Sequence, residues 1–221
     1  MPTRPQVLAP AEVFRSLDPA GRQAALWAWL ARAGHDPRTL WSSCPRGDWL
    51  AWWLGTQPEH RRRLVLACAE CLRMAESGLP VALDAPRRLV LAASSWADGR
   101  APGSDLGDLI DEITALLARD HWPSATRAAL QSSLWLGRLT LSVASSSGRL
   151  ARRAPTSAAA EPFAPPDAST AAHLTLWHAA AAIACEVNPL EPPGSAWWAR
   201  CLEAALARFA DVLRGCVARP G

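Results

Sequence analysis

Arg62-Arg63-Leu64-Val65-Leu66-Ala67 recurs unchanged, 25 residues further on, as Arg87-Arg88-Leu89-Val90-Leu91-Ala92. Looser echoes stand at Arg138-Leu139-Thr140-Leu141 and His173-Leu174-Thr175-Leu176. By itself Leu-Val-Leu-Ala suits a buried parallel strand as well as a buried helix turn. Length decides between them, because each copy lies within at least 12 residues that contain no helix breaker. No alternating hairpin pattern occurs anywhere. The chain therefore reads as all-α, built of stacked helical hairpins that bury one another's faces as an irregular helical repeat does.

Outward from the repeat, proline, glycine and capping residues punctuate the sequence. Pro58 opens a long helix ending near Gly78, in which Leu64, Cys68, Cys71 and Ala75 form one stripe. Val65, Leu66 and Leu72 make its other sides apolar, so it is expected to be central and largely buried. Asp84 and Pro86 open the copy, which stops at Asp98-Gly99. The two copies are expected to pack together. Upstream, Asp18-Pro19 starts a helix through Trp27 and Trp29 that stops at Gly34. Gly47 is read as a turn and Asp48 as the cap of a short helix that carries Trp49, Trp52 and Trp53 and ends at Gly55. Downstream, Ser104 caps a helix through Leu106, Leu109, Ile110, Ile113, Leu116 and Leu117, and another helix runs from about Pro123 to Ser146. These assignments divide the chain into a helical domain over 1–146 with a tryptophan-rich N-terminal part, a flexible loop or linker over 147–168, and a C-terminal helical hairpin over 169–221 packed on the same core.

Composition narrows the functional classes. At 221 residues, the chain can bury roughly 70% of the surface its unfolded form exposes. Its 23 basic residues are all arginine, spread from Arg4 to Arg219 among 20 acidic ones, and the net charge is +3. With no lysine, no tyrosine and abundant alanine, this bias follows codon usage in a GC-rich genome. A nucleic-acid surface would instead cluster arginines with stacking aromatics on one face, so no nucleic-acid partner is expected. Met1 to Pro10 shows no apolar core of a signal peptide, and no run reaches the ~18 apolar residues of a membrane span. The expectation is a cytoplasmic protein whose six cysteines are free thiols.

Candidate chemistry is sparse. Cys68-Ala69-Glu70-Cys71 is a CxxC, but it lies inside a helix rather than at an N-terminus, where the dipole would activate a thiol. A structural zinc site needs four ligands, and only Cys44 and His60 could join the pair. Core packing is the preferred reading, with no metal and no cofactor. His173 and His178 are five residues apart and diverge by more than a third of a turn. His121 follows Asp120 without a paired nucleophile, and no HExxH, GxSxG, phosphate loop or dinucleotide fingerprint occurs. No catalytic residue is assigned. Arg46-Gly47-Asp48 spells an adhesion tripeptide, for which a cytosolic chain has no use.

Asp105, Asp108 and Glu112 share one helix face with Asp111 beside them. Acids near a helix N-terminus offset its dipole, and a single-signed face also steers basic partners. Of the 12 tryptophans, most sit at core spacing. The adjacent pairs Trp52-Trp53 and Trp197-Trp198 diverge by about 100° within a helix, which leaves Trp52 and Trp197 as candidate apolar anchors for a partner.

The stretch from Cys44 to Arg100 resembles immunity proteins of bacterial polymorphic-toxin systems. The resemblance lies in Asp48-Trp49-Leu50-Ala51-Trp52, in Arg63-Leu64-Val65-Leu66-Ala67-Cys68-Ala69-Glu70-Cys71 and in Trp96-Ala97-Asp98-Gly99. A similar layout occurs in alanine-rich proteins of planctomycetes and myxobacteria. The matching stretch is about a quarter of the chain. It implies an all-α fold and, by analogy, inhibition of a cognate toxin by direct binding, and it transfers no functional residue. The expected function is that of a non-enzymatic binding protein of this kind. The alternative is a helical-repeat scaffold with an unrelated partner.

Overall fold

In the computed structural model, residues 24–34, 36–119, 121–146 and 167–217 are described. They form nine α-helices and no strand. The helices are α1 (Ala24–Ala33), α2 (Pro37–Ser43), α3 (Gly47–Gly55), α4 (Arg61–Arg73), α5 (Asp84–Ala97), α6 (Leu106–Leu117), α7 (Ser124–Ser146), α8 (Ala168–Val187) and α9 (Ala196–Cys216). Single 3-10 turns at Pro58–His60 and Glu76–Gly78 flank α4.

Local chemistry explains most boundaries. Asp36, Asp167 and Ser195 cap α2, α8 and α9 by accepting from the backbone N–H of Thr39, Thr170 and Trp198. Gly34 and Gly99 end α1 and α5 at φ +70° and +77°, a region that favours glycine. Four expectations shift. The helix after Pro58 divides into a 3-10 turn and α4, which ends at Arg73 because Met74 and Ala75 bond three residues back. Asp105, not Ser104, occupies the N-cap position of α6, and the Ser104 hydroxyl donates to the Asp105 carboxylate at 2.8 Å. The short helix α2 was not foreseen. Ala168, assigned to the linker, begins α8 and is buried. The helix start at Asp18-Pro19, Asp120 and the linker residues 147–166 lie outside the described residues.

Helices α4 and α8 hold the centre. α8 packs along α7 and against α3, α4 and α9, while α4 packs against α5, α7, α8 and α9. The expected stripe of α4 is buried throughout: Leu64, Cys68 and Cys71 at 0% exposure and Ala75 at 2%. α5 leans on α4, α6 and α7, and α6 forms the outer edge on α5 and α7. The tryptophan-rich N-terminal part is pinned by ring contacts, Trp29 on Trp49 at 5.8 Å and Trp41 on Trp53 at 6.2 Å. Arg214 of α9 donates to the carbonyls of Trp41 and Cys44, which ties α2 and its exit to the C-terminal helix.

Candidate functional site

Gly47 and Asp48 are placed differently from the expected turn and cap. Gly47 has an ordinary φ and is the first residue of α3. A β-carbon there would lie 2.6 Å from Phe209 Cβ and 2.8 Å from the Ala210 backbone, so glycine is required by the close approach of α9. Gly55, at the other end of α3, meets the Ser169 backbone of α8 at 2.5 Å in the same way. Asp48 is the second residue of the helix and makes no cap. Its side chain is fully buried between the helices that this close packing brings together.

Burying a carboxylate requires partners. Arg46 supplies two, with Nε 3.0 Å from Oδ1 and a terminal nitrogen 2.8 Å from Oδ2. The same guanidinium lies over the Trp49 ring at 4.8 Å and reaches Glu203 of α9 at 2.7 Å. His173 of α8 places Nδ1 3.4 Å from the same Asp48 Oδ2, without hydrogen-bond alignment. Trp52 meets the His173 ring edge-on at 6.0 Å. This Arg46–Asp48–His173–Glu203 cluster joins α3, α8 and α9. A paired charge at the meeting point of three helices acts as a clamp, and removing one partner of such a pair characteristically costs about 3–5 kcal/mol. Sequence reasoning missed it. The available signal was an aspartate inside an otherwise apolar, tryptophan-rich helix.

The five residues assigned to partner binding do not converge. Asp105, Asp108 and Glu112 are exposed on α6. Glu112 pairs at the surface with Arg88 at 3.7 Å, and Arg88 also faces Asp84 at 3.8 Å. Trp52 is half-buried in the α3–α8 contact. Trp197 is half-buried at the start of α9, next to Trp198, which is buried and donates to Cys185 Sγ at 3.3 Å. In both pairs the first tryptophan is the more exposed.

Cys68 and Cys71 are fully buried, and burial pushes both thiols well above the ordinary range. That suppresses the thiolate needed for redox or metal chemistry. Burial likewise pushes the Cys44 thiol up to about 12. Among the described residues no three His, Cys, Asp or Glu side chains are gathered to hold a metal ion, so Cys44 and His60 do not complete a set with the CxxC. Burial, reinforced by the neighbouring His173, lowers His178 to about 4. Among the described residues no helix is long and apolar enough to cross a membrane.

A second surface was not foreseen. Among the described residues the exposed large apolar side chains are Val81, Leu91, Val187 and Leu190. Val81 lies on the turn and loop 76–83 before α5, Val187 is the last residue of α8, and Leu190 lies on the loop that follows it. The Ser77 hydroxyl donates to the Glu186 carboxylate at 2.7 Å and joins the 3-10 turn to the end of α8. No family model matches the chain, and searches of curated proteins and of solved structures find no match.

Proposed function

We propose that the protein works by binding another protein without turnover, in the manner of the immunity proteins that its sequence from Cys44 to Arg100 resembles. The observation that carries this reading is the edge helix α6. Among the described residues its main packing is on α5 and α7, and Asp105, Asp108 and Glu112, with Asp111 beside them, stay exposed on one acidic face. Asp108 and Asp111 make no ion pair among the described residues, so their charge is directed at solvent. Such a face accelerates the encounter with a basic partner. The buried polar cluster supports the same reading. Both oxygens of Asp48 are engaged by structural partners, whereas catalysis needs convergent titratable groups open to a substrate.

The test is affinity capture from the native host followed by association kinetics with the captured protein. Reversing Asp105, Asp108 and Glu112 to arginine should slow association strongly at low salt and less at high salt. Circular dichroism on the same variant checks its fold. A folded variant that associates at the wild-type rate removes this face. Failure to recover any protein partner removes the binding function.

A further inference from the structure

Exposed apolar side chains on two segments that the Ser77–Glu186 hydrogen bond joins call for an explanation. Val81 is 91% and Leu190 92% exposed, and Val187 is 61% exposed. Both loops are held by hydrogen bonds. Arg87 of α5 donates to the carbonyls of Leu79, Val81 and Leu83 at 3.2, 3.2 and 3.0 Å, so the Val81 loop is laced to the helix that follows it. Asn188 accepts from the Leu190 backbone N–H through its side chain at 3.2 Å, and its carbonyl accepts from Glu191 at 3.2 Å. These bonds hold the backbone that carries Val81 and Leu190, which is preorganisation for contact.

The charge on these loops has one sign. The ionisable residues of 76–83 and 186–195 are Glu76, Glu186 and Glu191, with no basic residue among them. Of the arginines that flank these segments along the chain, Arg73 pairs with Glu70 and donates to Ser94, Arg87 spends its donors on loop carbonyls, and Arg200 stands in the first turns of α9. Beside Glu76, Leu72, Leu79, Pro86, Val90 and Ala129 line a shallow crevice that is too small to seat a side chain.

We infer that the joined segments 76–83 and 186–195, the latter being the end of α8 and the loop after it, are a docking surface for a basic, amphipathic segment of another protein. Val81, Val187 and Leu190 contact its apolar face, and Glu76, Glu186 and Glu191 meet its arginines or lysines. The inference rests on the binding reading above but places the contact elsewhere. Residue 105 opens α6 after the far end of α5, whereas the Val81 loop precedes the near end.

The probe is a synthetic amphipathic helix with one leucine face and one arginine face, compared with a glutamate-faced counterpart. Fluorescence anisotropy gives the affinity and amide exchange the footprint. The arginine peptide should bind, with protection confined to 76–83 and 186–195. Val81→Ser with Leu190→Ser should weaken it at least about ten-fold. Glu76→Arg with Glu191→Arg should weaken it and flatten its salt dependence. Reversing the α6 acids should leave it unchanged, so this surface and the α6 face fail separately. Four outcomes overturn the inference: no binding, equal binding of the glutamate peptide, an unchanged affinity in the serine variant, or a footprint on α6. Self-association of the protein that the serine variant abolishes also overturns it, by making a second copy the occupant.

Discussion

The two copies of Arg-Arg-Leu-Val-Leu-Ala are chemically identical and meet different fates. In both, the second arginine is exposed and the Leu-Val pair is buried: Leu64 and Val65 at 0%, Leu89 at 0% and Val90 at 2%. They part at the next residue, where Leu66 packs half-buried against the core and Leu91 is 59% exposed. The first arginines also differ. Arg62 lies 5.3 Å over the Trp96 ring and donates to the Trp96 carbonyl at 2.8 Å, closing α4 onto α5. Arg87 laces its own preceding loop. The cause is position. α4 has helices on several sides, while α5 lies toward the edge of the molecule. A helix turn of given sequence determines which residues share a face, but its neighbours determine how many faces are covered.

The comparison can be tested most strongly where the copies agree. Leu64→Ala and Leu89→Ala should each lower unfolding free energy by about 2–5 kcal/mol, the cost of a cavity at a fully buried leucine. Urea midpoints check this, and a small loss at Leu89 alone would show that the second copy is not part of the core. The central layer can next be probed by pH through His178 of α8. Its value is depressed, from an ordinary 6.5 to about 4. Below about pH 6.5 the unfolded chain binds a proton that the folded chain refuses until about pH 4. Stability should therefore fall across that window by roughly 2–3 kcal/mol and then level off. In His178→Gln this part of the acid loss should vanish in urea titrations at pH 7 and 4.5.

Smaller effects sharpen the contrast between centre and edge. Cys68→Ser, which buries a hydroxyl on the central stripe of α4, should cost about 1–3 kcal/mol, read as a shifted urea midpoint. An unchanged midpoint would place Cys68 outside the core. The smallest effect is expected where the copies differ most. Leu91→Ser should change stability by no more than about 0.5 kcal/mol, and Leu66→Ser should cost more. Equal losses in a thermal melt would mean that the two fifth positions are equivalent and the contrast is void.

Much of the fold was legible in the residues themselves. The spacing of Leu64, Cys68, Cys71 and Ala75 is a local property, and so are the stops at Gly34, Gly55 and Asp98-Gly99, because periodicity and backbone preference act within a few residues. The α6 face was legible for the same reason, since three acids at helical spacing share a side wherever the helix lands. The clamp at Asp48 was not legible. Arg46 and Glu203 are 157 residues apart, and His173 reaches Asp48 only because Gly47 and Gly55 let α9 and α8 approach α3 backbone to backbone. The apolar loops were hidden likewise, since Val81 and Leu190 look like ordinary core residues until the fold leaves them in water. The sequence by itself determined the helices and the faces they carry. Tertiary structure alone decided which faces meet, because burial depends on neighbours far away along the chain.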